Sequence, residues 1–290
     1  MTETAAKPQP NTAMRPPGRN AFGLVLRTPT FLIGATIVLF WIVCAIFGQL
    51  FVPYDPLQDD IISALLPPDG NHWFGTDQLG RDVFSRVIAG SRDILTVAPL
   101  ATLLGTFCGT VIGLFAGYNR GLLDEVIGRI IEAFLALPLI IVALIALVAL
   151  GPSTPTVIAV IGISFTPIIA RTVRAAVIQE RELDYVLTAQ LRLEGPLHIM
   201  FVEILPNILP PILVEGTVRL GYAIFAVATL SFLGFGIQPP SPDWGLSVAT
   251  NYGMIGGGFW WTVLFDALAI ATLVVGVNLV ADGIGAALRD

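Results

Sequence analysis

The stretch FLIGATIVLFWIVCAIFGQLF, residues 31–51, contains no charged side chain. Its length is sufficient to cross a bilayer, because a helix rises about 1.5 Å per residue and the hydrocarbon core is about 30 Å thick. It is longer than the apolar region of a secretory signal, and no A-x-A-like site follows it, so we expect an uncleaved anchor. Over the whole chain, 55% of the 290 residues are hydrophobic and only 12% are charged. These features predict an integral membrane protein.

Five further spans are predicted by the same criterion, so the predicted fold class is an all-α polytopic membrane protein with six transmembrane helices. Residues 94–118 form the second apolar run. The long run 130–170 is divided into two spans by the turn-forming sequence GPSTP at residues 151–155. The last two predicted spans are residues 209–235 and 259–281.

Basic residues near the first span predict the orientation, because Lys and Arg are retained on the cytoplasmic side. The tail of residues 1–30 carries four basic residues and one acidic residue, whereas the loop of residues 52–93 carries seven Asp and three Arg. We therefore expect a cytoplasmic tail, an extracytoplasmic loop and, after six spans, a cytoplasmic C-terminus. In this topology Trp260 and Trp261 lie at the outer membrane interface, where amphipathic rings are enriched.

Several kinds of enzyme chemistry are excluded or unsupported. Lys7 is the only lysine, so the chain cannot contain a Walker A loop, which needs a lysine next to the nucleotide phosphates. Neither H-E-x-x-H nor G-x-S-x-G occurs, so no zinc protease or nucleophile-elbow hydrolase is supported. Cys44 and Cys108 lie inside apolar spans, which favours small hydrophobic residues over a disulfide or a metal site. No catalytic residue, cofactor, metal ligand or nucleic-acid partner is predicted.

Charged residues inside spans are costly and often mark ion or proton pathways. Glu215 and Arg219 are four residues apart, which places them on one helix face. They can neutralise each other as an ion pair or take part in coupled transport, and the sequence leaves both interpretations open. Asp266 has no obvious partner in its own span, so it faces either a polar cavity or another subunit. These three residues form the candidate intramembrane polar site.

The inner segment, residues 178–207, includes the charged stretch ERELDYVLTAQLRLEGPLHIMFVEILPN. Acidic residues at its start and the later Gly195-Pro196 pair predict a helix of about three turns. The apolar stripe of this helix consists of Leu183, Val186, Leu187 and Leu191, and the opposite face carries Asp184, Thr188 and Arg192. Helices that lie on membranes are rich in Lys and Arg, whereas this one is acidic. We therefore favour docking into a groove of a partner protein.

Two stretches on the outer side have turn and helix signals of their own. In HWFGTDQLGRDVFSRVIAGSR, residues 72–92, Asp77 is the predicted cap of a surface helix that leads into the second span. In LSFLGFGIQPPSPDWG, residues 230–245, glycines and the Pro239-Pro240 pair end the fifth span. Trp244 is expected to anchor this loop at the membrane interface.

The inner segment resembles the EAA loop of bacterial ABC importer permeases, whose pattern runs Glu-Ala-Ala, three residues, Gly, and later Leu-Pro-Asn. Anchored on the Leu-Pro-Asn of residues 205–207, the Glu-Ala-Ala positions fall on residues 187–189, of which only Ala189 matches. The Gly of the pattern falls on Leu193, and Gly195 follows two residues later. The two outer stretches are similar to segments of the dipeptide, oligopeptide and nickel permeases of the kind written second in their operons.

This resemblance implies the type I ABC importer permease fold in a bacterial inner membrane, with residues 94–290 as the permease core. It implies a homologous permease subunit, two cytoplasmic ATP-binding subunits that hydrolyse ATP, an extracytoplasmic solute-binding protein and membrane lipid as partners. Peptide, nickel and haem stay open as cargo. A proton-coupled secondary transporter and a membrane scaffold are the alternatives. The residues implied to couple to the ATPase are Leu183, Tyr185, Val186, Leu187, Ala189, Leu191, Gly195, Leu205, Pro206 and Asn207.

Overall fold

The computed structural model describes residues 28–287. The predicted cytoplasmic tail, including Lys7, therefore lies outside the described residues apart from residues 28–30. Within the described part, regular structure is helical, with an isolated β-bridge between Thr76 and Asp82. The longer helices are α1 (Pro29–Phe51), α2 (Val83–Asn119), α3 (Leu122–Leu135), α4 (Leu139–Leu150), α5 (Thr154–Glu180), α6 (Asp184–Leu191), α7 (Leu209–Phe232), α8 (Trp244–Asn251) and α9 (Trp261–Ala287). Short helical turns lie at Ile61–Ser63, Pro196–His198, Ile199–Ile204, Leu205–Asn207 and Tyr252–Gly257.

Among the described residues, five helices are long and apolar enough to cross a membrane: α1, α2, α5, α7 and α9. The pair α3 and α4 raises the number to six when it is counted as one span, but the two helices meet at 90°. The third predicted span is therefore not a straight helix. Pro138 explains the bend, because proline lacks an amide hydrogen and disfavours helical conformation in the residue before it. The break predicted at residues 151–155 is present, where Gly151 has a φ of 83°.

Helix α2 joins the predicted surface helix to the second span without interruption. Its cap is Asp82, whose carboxylate accepts a hydrogen bond from the Ser85 amide at 2.8 Å. The prediction that Asp77 caps this helix is wrong. Asp77 instead closes the preceding turn by accepting from the amides of Leu79 at 2.8 Å and Arg81 at 3.1 Å. Both aspartates have suitable cap chemistry, so the sequence did not distinguish them.

Helices α2 and α5 form the centre of the fold, and glycines on α2 determine how closely they approach. These glycines recur every four residues on one buried face: Gly105, Gly109, Gly113 and Gly117. A methyl group added at Gly113 would lie 2.6 Å from the carbonyl oxygen of Ala170. One added at Gly109 would lie 2.7 Å from Cβ of Ile169. Small residues at this spacing let two backbones pack closely in a membrane, where the hydrophobic effect does not drive helices together.

The other spans pack around this pair. Helix α7 contacts α2, α5 and α9, while α1 packs against α2 and α9. The contact between α1 and α9 again uses small residues, since a methyl group at Gly34 would lie 2.7 Å from the Gly276 carbonyl oxygen. Helices α3 and α4 lie against α5, and α8 contacts α7 and α9. Following the predicted topology, we call the end with residues 52–93 the outer end and the end with the inner segment the inner end.

Replacing Gly113 by Ala should destabilise the protein, because the added methyl group meets backbone atoms of α5 that cannot move independently. We expect the free energy of unfolding to fall by about 1–3 kcal/mol, as for other overpacked sites. The measurement is the thermal unfolding midpoint of the purified protein in detergent. Gly128→Ala in α3 is the matched control, because no heavy atom lies within 4 Å of its added methyl group. Equal midpoints for Gly113→Ala and the wild type would contradict the packing described here.

Candidate functional site

The inner segment contains α6, which is shorter than predicted. It has eight residues, about two turns instead of three. The helix ends where Leu193 adopts a left-handed conformation with a φ of 57°. The amides of Leu193 and Glu194 donate to the carbonyls of Gln190 at 3.0 Å and Ala189 at 3.2 Å, a helix terminus that favours glycine at the left-handed position. Leu193 is also the position onto which the Gly of the EAA pattern falls, whereas the predicted stop at residues 195–196 comes after the helix has ended.

The apolar stripe predicted for α6 is divided between two environments. Leu183, Leu187 and Leu191 are 43%, 45% and 82% exposed. Val186 is instead fully buried, together with Ala189, and therefore does not lie on the exposed face. Five of the eight residues of this helix are apolar or aromatic, so helical spacing alone did not decide which of them face the protein.

Tyr185 and Asn207 connect the two ends of the inner segment. The Tyr185 hydroxyl donates to the Glu180 carboxylate at 2.8 Å, and the side-chain nitrogen of Asn207 donates to the Tyr185 hydroxyl at 3.2 Å. Burial and the nearby Glu180 carboxylate raise the pKa of Tyr185, so its hydroxyl stays protonated and can donate. Leu205 is half-buried against the core, and Pro206 is exposed. Tyr185 and Asn207, two predicted coupling residues that are far apart in the inner segment, are therefore in direct contact.

A charged group surrounds the turn after α6. Arg192 pairs with Glu194 at 2.9 Å and lies 3.6 Å from Glu203, and His198 lies 3.5 Å from Glu194. Side-chain atoms of Glu194, His198 and Glu203 lie within 4.8 Å of one another, a proximity that was not predicted from the sequence. Because Arg192 lies near both carboxylates, much of the negative charge of this group is balanced without a bound cation.

Two arginines join the start of the inner segment to the inner end of α2. Arg120, just after α2, pairs with Glu182 at 2.7 Å. Arg181 donates to the carbonyl oxygen of Tyr118, and its guanidinium lies 5.6 Å from the centre of the Tyr118 ring. The start of the inner segment is therefore bound to α2 as well as continuous with α5.

Glu215 and Arg219 lie on one face of α7, where Nε of Arg219 donates to Oε1 of Glu215 at 2.7 Å. Their side chains are 18% and 17% exposed. The Arg219 guanidinium also lies 5.0 Å from the centre of the Tyr222 ring, within the range of a cation–π interaction. Tyr222 is not among the predicted site residues, although a residue three positions from Arg219 lies on the same helix face.

Asp266 belongs to a different place in the fold. It is buried in α9, and the charged groups that act on it electrostatically are Arg86, Asp243 and Asp77. Arg86 is buried as well, and its Nη2 donates to the Ser247 hydroxyl at 3.3 Å. We call the following five residues the outer polar cluster: Asp77, Arg86, Asp243, Ser247 and Asp266. The candidate intramembrane polar site is thus divided into the α7 ion pair and this cluster, because the sequence did not reveal which helices are neighbours.

The loop before α8 is held inside the protein. Asp243 is buried and caps α8 by accepting from the Leu246 amide at 2.8 Å. Burial raises the pKa of Asp243 to about 6, although the bond from the Leu246 amide favours the charged form. Trp244 is fully buried and its Nε1 donates to the Val87 carbonyl at 2.8 Å, so the prediction of an interfacial Trp244 is wrong. Trp261, also predicted at the interface, is buried too.

Replacing Leu193 by Gly should stabilise the end of α6. A left-handed residue that carries a Cβ costs about 1–2 kcal/mol, and Leu193 is 90% exposed, so little buried surface is lost. Hydrogen exchange of the amides of Leu193 and Glu194 should slow by roughly fivefold or more. Leu191→Gly is the matched control, because the same substitution inside the helix should speed exchange. Faster exchange in both variants would show that Leu193 is not strained.

The raised pKa of Asp243 predicts a stability that falls with rising pH. Because the folded pKa of about 6 exceeds the ordinary 3.8, the contribution of protonated Asp243 is fully present below pH 3.8 and is lost as the pH rises through 6. Unfolding at about pH 7.5 should therefore require about 1–2 kcal/mol less than at about pH 5. Asp243→Asn should flatten this dependence in thermal melts, whereas Asp55→Asn in the exposed loop should keep it. An unchanged pH profile in Asp243→Asn would refute the assignment.

Comparisons with known proteins agree with the fold. The family described as binding-protein-dependent transport system inner membrane component matches residues 109–290, and the N-terminal TM domain of oligopeptide transport permease C matches residues 17–68. The dipeptide transport system permease protein DppC of Alkalihalophilus pseudofirmus is 37% identical over 272 residues, which are 94% of this chain and 89% of that protein. The probable D,D-dipeptide transport system permease protein DdpC of Escherichia coli is 33% identical over 283 residues, 97% of this chain and 93% of that protein.

Among solved structures, a chain of the inward-facing MetNI methionine ABC transporter matches with a TM-score of 0.58 at 20% identity. The match covers 71% of this chain and 97% of that one, and it shows a shared fold. The family matches favour the importer over a proton-coupled secondary transporter or a scaffold. The chain therefore belongs to the binding-protein-dependent transport system inner membrane components, the multi-pass permease subunits of ABC importers, whose ATPase activity lies in separate subunits.

Proposed function

We propose that this chain forms one half of the membrane pathway of an ATP-driven peptide importer. A homologous permease forms the other half, and two ATP-binding subunits and an extracytoplasmic solute-binding protein complete the transporter. Relatives named as dipeptide permeases, each aligned over most of this chain, favour peptides over nickel or haem as the cargo. The basic tail and the acidic loop of residues 52–93 support an orientation with both termini in the cytoplasm.

The observation that carries the proposal is a set of exposed leucines on the inner segment. Each is at least 43% exposed, and we call them the inner leucines: Leu183, Leu187, Leu191, Leu193 and Leu197. They lie outside the helices that are long enough to span a membrane, so lipid tails do not cover them as they cover α1. Exposed apolar side chains in such a place are typical of a protein contact. A short helix of this kind fits a groove of an ATP-binding subunit.

The connections of the inner segment would let it act as a lever. It continues directly from α5 and is bound to α2 through Arg120 and Arg181. At its other end Asn207 bonds to Tyr185 and lies two residues before α7 begins. Movement of α6 by the ATP-binding subunits would therefore reach α2, α5 and α7 together. Rocking of these spans would alternate the pathway between inward-facing and outward-facing states.

Replacing Leu187 by Asp should disrupt this coupling. A carboxylate buried in the contact without a partner should cost about 3 kcal/mol, which lowers affinity for the ATP-binding subunits roughly 100-fold. Because the residue lies outside the spans, the variant should reach the membrane at the wild-type level. It should then purify without an ATP-binding subunit and lose uptake of labelled dialanine. The measurements are a membrane immunoblot, co-purification and uptake into proteoliposomes.

Leu57→Asp is the matched control for this experiment. Leu57 is 45% exposed, the same as Leu187, but it lies in the loop of residues 52–93. This variant should keep the ATP-binding subunits. Leu187→Met should also keep them, because it preserves an apolar side chain of similar size. Normal co-purification and uptake in Leu187→Asp would show that α6 is not the coupling helix.

A further inference from the structure

Arg219 of the α7 ion pair lines an open cavity in the membrane part of the protein. The cavity has a volume of about 250 Å³, and Ser164, Phe165, Arg219 and Tyr222 are among the residues that line it. Most of the lining is apolar, and Arg219 is its charged member. A charged side chain in an apolar cavity is the feature that needs explanation.

Arg219 lies near the middle of α7, a helix long and apolar enough to cross a membrane. It is the eleventh residue of α7, which has 24 residues, and is therefore about 15 Å from the helix start. The hydrocarbon core is about 30 Å thick, so with the start of α7 at the membrane surface this position is at about the centre of the core. A charge at this depth is costly unless it faces the interior of a protein assembly or a water-filled cavity, and such residues mark substrate pathways. The position of Arg219 therefore favours a polar passage over a packing gap.

One wall of the cavity is the break between α3 and α4. Leu135, Leu137 and Leu139 line the cavity at the point where these helices meet at 90°. Backbone that leaves helical structure at membrane depth is tolerated where it is buried in protein or lines a water-filled cavity. The bend is thus a second feature, on other helices, that favours a hydrated cavity.

The ion pair leaves most of the Arg219 guanidinium unused. Its bond to Glu215 uses Nε, and among the described residues the two terminal nitrogens have no hydrogen-bond partner. A guanidinium has five N–H donors and can bind a carboxylate through two parallel hydrogen bonds. The terminal edge of Arg219 is therefore available to a carboxylate that enters the cavity.

We propose that this cavity is a transient binding station for the peptide during its passage, an inference that rests on the peptide import proposed above. Arg219 binds the terminal carboxylate of a short zwitterionic peptide. Glu215 is not itself among the lining residues, but it is bonded to Nε of Arg219; released from that bond, it turns toward the cavity and binds the terminal ammonium group. One internal ion pair is exchanged for two, so no charge is left unpaired in the membrane. The internal bond also competes with the peptide, which keeps binding weak enough for release.

The first test uses the complete transporter in proteoliposomes, with labelled trialanine and trialanine amide as probes. Arg219→Gln should lower uptake of trialanine at least tenfold and change uptake of the amide less than twofold. The quantity to compare between variants is the uptake rate of trialanine divided by the uptake rate of the amide. Every variant works with the same solute-binding protein, so the preference of that protein for one of the two peptides cancels in this comparison. The double variant Glu215→Gln/Arg219→Gln leaves no unpaired charge. Full recovery of trialanine uptake in this double variant would show that the ion pair has only a structural role, which would overturn the proposal.

A second test measures the reactivity of the cavity, and the dependence of that reactivity on Arg219 needs no peptide that the solute-binding protein accepts. Ser164, which lines the cavity, is replaced by Cys in a transporter whose Cys44 and Cys108 are changed to Ala. During ATP turnover, a negatively charged methanethiosulfonate should modify the introduced thiol at least tenfold faster when Arg219 is present than in Arg219→Gln. Trialanine should slow this reaction. Ile145→Cys in α4, 67% exposed and outside the cavity lining, should stay unreactive.

An unreactive thiol at position 164, or equal reaction rates with and without Arg219, would overturn the binding station. The proposal of peptide import itself would be overturned by a second, separate set of results. In that case the wild-type transporter would fail to take up trialanine, and trialanine would not slow the reaction. The thiol would still react in a way that depends on Arg219. The two failures are therefore distinguishable.

Discussion

The close approach of α2 and α5 is the contact on which the rest of the structure depends. Helices in a bilayer gain nothing from leaving water, so shape and polar contacts decide whether they associate. Helix α2 presents a glycine at every fourth position from 105 to 117, and α5 brings Ala170 and Val177 against that face. Helices α7, α1 and the bent pair α3–α4 then pack on the surfaces that these two helices create.

The same pair links the two ends of the protein. At the inner end, α5 leads into α6, and Arg120 and Arg181 bind the start of the inner segment to α2. At the outer end, α2 begins at its Asp82 cap and carries Arg86 into the outer polar cluster. A closely packed pair with polar contacts at both ends is suited to pass a movement from one side of the membrane to the other. This is what the proposed coupling to ATP-binding subunits requires.

The residues of the candidate intramembrane polar site fall into two groups with different physical roles. The outer polar cluster is buried, and Arg86 within it donates to the Pro56 carbonyl at 2.9 Å and to Ser247, so it ties loops to helices. In the α7 ion pair, Arg219 instead lines a cavity, and its terminal guanidinium donors have no hydrogen-bond partner among the described residues. The first arrangement favours a fixed structure, because Arg86 and Asp77 are removed from water and bonded to protein partners. The second retains donors for a ligand.

The sequence by itself determined that the chain crosses the membrane, the approximate limits of five of the predicted spans and the charged segment outside them. It could do so because the cost of placing charge or unpaired backbone in lipid acts on each residue regardless of its neighbours. Helical spacing was also sufficient to predict that Glu215 and Arg219 can form an ion pair, because this contact is local to one helix. Only the tertiary structure decided that Val186 and Trp244 are buried, that the glycine face of α2 meets α5, and that Asp266 belongs to the outer end. Each of these depends on which helices are neighbours, and contacts between residues far apart in the chain leave no periodic pattern in a single sequence.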